Sequence, residues 1–185
     1  MTEAEWLACD DPQPMLRFLG LPRSDSVGTR RAQRKFYLFV AACIRRVAHH
    51  LPTDLRKLSE VADTVCDYPP PPTDAATAVG WAVRLASYAP DRGAEPAVQA
   101  RLLRDLFGDP FRPVPVDPGW AAWNSATIPK LAQAIYEERR FADLPILADA
   151  LEDAGCTNQD ILSHCRGPGP HVRGCWAVDL VLGKG

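Results

Sequence analysis

Phe36, Val40, Cys43, Val47 and Leu51 recur at spacings of three and four, and Tyr37, Ile44 and Ala48 widen the stripe. That period puts one apolar face on a helix, and no Gly or Pro interrupts it before Pro52, so a core helix is predicted over about 29–51. The same reading places helices along most of the chain. Thr2 with Glu5 three residues later is a capping-box pattern ahead of Trp6 and Leu7. Asp11-Pro12 opens a short helix that Gly20 and Pro22 stop. Thr53-Asp54 caps a helix with Leu55, Leu58, Val61, Ala62 and Val65 on one face. Thr73-Asp74 restarts one through Trp81 and Leu85 that ends near Pro90, and another runs from about Glu95 to Phe107, closed by Gly108.

Four consecutive prolines, Pro69 to Pro72, force an extended segment that reads as a rigid spacer. Pro110, Pro113, Pro115 and Pro118 exclude a helix over 109–120, where Phe111, Val114, Val116 and Trp120 are apolar anchors for an ordered loop. Beyond it, Asn124 or Ser125 caps a helix bearing Ile128, Leu131, Ala132, Ile135 and Tyr136. Residues 142–154 form the next, with Pro145 in its first turn and Gly155 as its stop. Thr157 caps Ile161-Leu162, residues 167–170 break the chain, and Val172 to Leu182 closes it as a helix. The expectation is an all-α bundle of eight or nine helices: an N-terminal helical subdomain over 1–68, a proline spacer and variable helix over 69–92, and a C-terminal helical subdomain over 93–185.

Composition narrows the function classes. The 185 residues are 46% hydrophobic and 24% charged, values of a globular rather than a disordered chain. The longest unbroken apolar run, Phe36 to Ile44, is nine residues, short of the roughly 20 that a membrane span needs. Met1 to Glu5 is acidic where a signal peptide is basic, so a soluble cytoplasmic protein is expected. The net charge of −2 gives no global pull toward nucleic acid or anionic lipid. Charge is nevertheless uneven: eight Arg and Lys against Asp54 lie between Arg30 and Lys57, and seven acids against Arg139 and Arg140 lie between Glu137 and Asp160.

Three strings resemble a paralogous family of uncharacterised planctomycete proteins. They are Met1-Thr2-Glu3-Ala4-Glu5-Trp6-Leu7-Ala8-Cys9, then Leu106-Phe107-Gly108-Asp109-Pro110-Phe111-Arg112-Pro113-Val114, and then Leu144 to Leu151 with His171-Val172-Arg173-Gly174-Cys175-Trp176 through Lys184. The last block is also similar to the short repeat-companion domain of such bacteria. Relatives are named after the SMI1/KNR4 class of regulatory and immunity proteins, which is α+β, so that class lends no function to a helical chain. The resemblance implies no assigned activity, and it implies that residues 69–92, longer and Ala-rich in relatives, are a tolerant spacer.

Chemistry-bearing residues concentrate at the C-terminus. Cys156, His164, Cys165, His171 and Cys175 place three of the six Cys and two of the four His within twenty residues. Sulfur and imidazole donors suit a tetrahedral structural zinc site, and Cys156, Cys165, His171 and Cys175 are the expected four, although the C-x2-C knuckle is absent. The bland alternative is three packed small apolar thiols and two helix-end histidines. A Cys/His nucleophile is the enzymatic version, but His164 and Cys165 are neighbours and point about 100° apart on a helix. Asp149, Glu152 and Asp153 read as a solvated acidic face, and Asp179 as a buried carboxylate paired with Arg173 or Arg166. Arg34, Lys35, Arg45 and Arg46 form a flank of the core helix able to meet phosphates or a protein partner. No phosphate-binding glycine loop, G-x-S-x-G or H-E-x-x-H occurs. The expectation is therefore a non-enzymatic interaction or regulatory module with no catalytic or cofactor-binding residues. The alternative is a zinc-stabilised protein able to bind nucleic acid, and the third reading is a hydrolase on Cys165 or Cys175.

Overall fold

The structure is a computed structural model and describes residues 1–20, 26–51, 53 and 75–184, with the side chains of 26–30 and 75–79 left aside. All regular structure among the described residues is helical, as the periodicity predicts. The expected helix at 55–66 and the prolines 69–72 lie outside the described residues. No described helix is long and apolar enough to cross a membrane. The chain divides into two units, Met1–Leu106 and Phe107–Gly185, so residue 93, where a C-terminal subdomain is expected to begin, falls inside the first.

The N-terminal unit contains α1 (Glu3–Ala8), α2 (Pro12–Leu19), α3 (Ser26–Val47), α4 (Ala75–Ala86) and α5 (Glu95–Phe107), the last ending one residue past the boundary. The capping box on α1 forms as read: the Glu5 amide donates to Thr2 Oγ1 and the Thr2 amide to Glu5 Oε2, at 3.3 and 2.7 Å. That backbone hydrogen bond holds the Glu5 carboxyl below its usual range. Asp11 caps α2 by accepting from the Gln13 amide at 2.9 Å, with Pro12 in the first turn, where its missing N–H is no loss. α3 begins at Ser26 rather than near residue 29, because a glycine such as Gly28 weakens a helix by about 1 kcal/mol without stopping it. Phe36, Phe39, Cys43 and Val47 line its buried face. α4 packs against both α2 and α3.

Three polar contacts lock these helices. Arg46 on α3 grips the Glu95 carboxylate with both Nε and Nη2, at 3.4 and 3.1 Å, and Glu95 is buried. Gln99 Nε2 donates to the Ala82 carbonyl at 3.1 Å. Arg104 Nη1 donates to the carbonyls of Trp6 and Cys9 at 3.0 and 2.8 Å, taking up carbonyls at the end of α1 that have no helical partner. Burial lowers the Arg104 pKa, with Asp10 opposing the shift.

The C-terminal unit holds α6 (Gly119–Glu138), α7 (Leu144–Asp153), α8 (Gln159–Arg166) and α9 (Trp176–Val181). Ile128, Ile135, Tyr136, Leu144, Leu151, Leu162 and Val178 sit in one core with Cys156, Cys165 and Cys175. Four elements depart from the sequence reading. The proline-rich loop is anchored by Val114 and Trp120, whereas Phe111 and Val116 stand exposed. The predicted cap at Asn124 or Ser125 is instead a break inside α6, with Asn124, Ser125 and Ala126 at positive φ (44, 58 and 63°), and regular helix follows it. Pro129 therefore falls near the start of that regular segment, where proline is tolerated. Asn158, not Thr157, caps α8, its Oδ1 accepting from the Asp160 and Ile161 amides. The closing helix starts at Trp176 rather than Val172, because Gly174 at φ +90° and a turn from the Cys175 amide to the Val172 carbonyl (2.9 Å) occupy the entrance.

Candidate metal centre

The centre is built by α8, the loop after it and the entrance of α9. On α8, Ile161, Leu162 and Cys165 form the buried face, and the helical step sets His164 on its flank, half-buried. The helix stops at Gly167, whose amide bonds the His164 carbonyl at 3.2 Å. Gly167 and Gly169 each precede a proline, and Gly167 takes the extended backbone (φ −71°, ψ 158°) that such a position favours. Gly169 at φ +66° then turns the chain back so that His171 lies over the helix end, its Nε2 donating to the Gly167 carbonyl at 3.2 Å.

This path brings three donors together. His164 Nε2 stands 3.1 Å from Cys175 Sγ. The rings of His164 and His171 meet edge to face at 5.0 Å, and Trp176 packs on His164 at 5.0 Å. The ligand atoms that His164, His171 and Cys175 offer lie within 4.8 Å of one another. Cys175 is fully buried and the two imidazoles half-buried. A tetrahedral zinc ion, with about 2.0–2.1 Å to nitrogen and 2.3 Å to sulfur, holds N and S about 3.6 Å apart. The His164–Cys175 distance is about half an ångström under that value, within reach of small side-chain rotations. One thiolate and two imidazoles suit borderline ions such as Zn²⁺ and Co²⁺ rather than Mg²⁺ or Ca²⁺, which require oxygen.

Of the four ligands expected from the sequence, His171 and Cys175 belong to this group. Cys156 and Cys165 do not: both are packed in the apolar core, Cys156 behind Gly155 with its amide on the Leu151 carbonyl at 2.9 Å. His164, in the same stretch but outside the expected four, takes a place. Its signal was the wheel of α8: Ile161 and Cys165 four apart define the inward face, and His164 falls beside it. A cavity of about 350 Å³ adjoins the centre, lined by Phe141, Ala142, Pro145, Cys165, Gly167, Pro168 and His171.

The remaining candidates have structural partners. Of the expected basic stripe, Lys35 is buried, Arg34 and Arg45 are half-buried, and Arg46, 39% exposed, holds Glu95. Arg166 bridges α8 to α7 by pairing with Asp149 and Glu152 at 2.7 and 2.6 Å, and these hydrogen bonds, Glu152 first, raise its pKa. The acidic face of α7 is thus partly neutralised. Asp179 is fully buried, and Arg173, one of its two expected partners, lies over the Tyr136 ring at 4.6 Å. No protein-family model, curated protein or solved structure matches the chain.

Proposed function

We propose that the protein is a non-enzymatic helical interaction or regulatory module whose C-terminal unit is stabilised by one zinc-like ion on His164, His171 and Cys175. The observation that carries this reading is the convergence of two imidazoles and a thiol from separate parts of the chain, with His164 Nε2 only 3.1 Å from Cys175 Sγ. The chemistry the ion supplies is cross-linking: it ties the loop and the α9 entrance to α8, adding binding energy to folding energy. Full burial of the Cys175 sulfur suits a structural ligand better than a nucleophile that must meet substrate. Elemental analysis of protein purified without a metal-affinity tag tests the reading. About one zinc per chain is expected, lost in His164→Ala and Cys175→Ser and kept in Cys156→Ser; no metal after anaerobic zinc reconstitution contradicts it.

A second reading has its own observation. The same His164–Cys175 contact is a thiol–imidazole couple of the kind that activates a cysteine, which favours Cys175 over Cys165 as the nucleophile of the hydrolase reading. Rapid alkylation of Cys175 that zinc fails to block would favour it. The nucleic-acid role depends on Arg34, Lys35, Arg45 and Arg46, and the burial of Lys35 and the Arg46–Glu95 pair count against it. Salt-dependent retention on DNA or RNA that falls in Arg45→Glu would restore it.

A further inference from the structure

Resting on the metal reading above, we propose that Gly169 and the Gly167 carbonyl are the positioning elements of the centre, and that His171 coordinates through Nδ1. A carbonyl oxygen only accepts, so the 3.2 Å contact from His171 Nε2 to Gly167 requires the proton on Nε2. In the neutral ring that tautomer puts the coordinating lone pair on Nδ1. Metal-binding histidines are characteristically held this way, the far ring nitrogen donating to a carbonyl that fixes the tautomer and the ring plane.

Gly169 makes the arrangement sterically available. A Cβ there would stand 2.6 Å from His171 Cδ2, 2.8 Å from the His171 amide nitrogen and 3.1 Å from Cγ. Cδ2 is bonded to Nε2, so the clash falls on the ring edge that carries the hydrogen bond to Gly167. The backbone has little room to yield, because Pro168 and Pro170 fix φ on both sides. Any side chain at 169 therefore drives the imidazole away from both Gly167 and the other two ligands.

The test needs a variant with the same backbone penalty and no clash, and the chain supplies one. Gly183 has φ +65° against +66° at Gly169, yet a Cβ there meets nothing within 4 Å. Gly169→Ala and Gly183→Ala are compared by zinc competition against a chromophoric chelator and by ¹⁵N NMR of the imidazole nitrogens in the metal-free proteins. Gly169→Ala is expected to weaken zinc binding by about 10–100-fold and to lose the Nε2-protonated signature of His171, while Gly183→Ala keeps both. Equal affinities in the two variants, or a wild-type His171 protonated on Nδ1, would overturn the proposal. If the wild type binds no zinc, the metal reading falls, and with it coordination through Nδ1. The tautomer comparison still decides whether Gly167 and Gly169 position the ring.

Discussion

The two units use polar side chains in opposite ways. In the N-terminal unit, Arg46, Gln99 and Arg104 each reach from one helix to a partner 17 to 98 residues away, and each contact closes a junction between helices. In the C-terminal unit the cationic bridge from Arg166 to α7 is on an exposed surface, and the helices are joined by an apolar core. Its chemically versatile groups, two imidazoles and a thiol, gather instead around a glycine–proline loop. In the first region Arg46, a member of the expected basic flank, is explained by the helix junction it secures. The cluster in the second is assembled by a backbone path that helix packing alone does not require.

This contrast is breakable by experiment. The largest effect belongs to the metal: zinc at about a thousand times its Kd is expected to add about 4 kcal/mol of stability, read as a shift of the C-terminal unit's unfolding transition. His164→Ala and Cys175→Ser remove that increment. Next comes Arg46→Ala, which leaves the buried Glu95 carboxylate without its cation. Its cost in urea denaturation is expected at about 2 kcal/mol, under the range for fully buried pairs because Arg46 is 39% exposed. Arg104→Met, which withdraws the donor from the Trp6 and Cys9 carbonyls, is expected to cost about 1–2 kcal/mol.

Two pH effects are smaller. Burial raises the Cys43 thiol above its ordinary 9.0, with Glu95 adding to the shift and Arg46 opposing it. The unfolded chain ionises first, so this contribution is complete below pH 9.0 and declines as pH rises beyond it. Urea midpoints of Cys43→Ala are expected to fall less steeply at alkaline pH than those of the wild type. The Glu5 carboxyl is depressed below its ordinary 4.5, so its contribution is present above that value and lost as pH falls through the lower folded value. Glu5→Gln is expected to flatten that acid limb slightly, with helix content followed by circular dichroism.

Much of the fold was legible because caps and periodicity are local: Thr2 with Glu5, Asp11 with Pro12, and the stripe from Phe36 to Val47 each declare a helix within one or two turns. What was missed depends on competition between neighbours. Thr157 and Asn158 are both competent caps, and only the turn after Gly155 decides that Asn158 faces the Asp160 and Ile161 amides. Val172 continues the apolar pattern of α9, but Gly174 at φ +90° delays the helix. The candidate site divides the same way. His171 and Cys175 were legible from composition, whereas choosing His164 over Cys165 required knowing which side of α8 is buried.

X-ray absorption at the zinc edge of the reconstituted protein tests the central claim most directly, because it counts sulfur neighbours. Coordination by His164, His171 and Cys175 predicts a single sulfur at about 2.3 Å with nitrogen or oxygen in the other positions. Three sulfurs would return the site to Cys156, Cys165 and Cys175, and a shell without sulfur would remove Cys175 from it; either result contradicts the account.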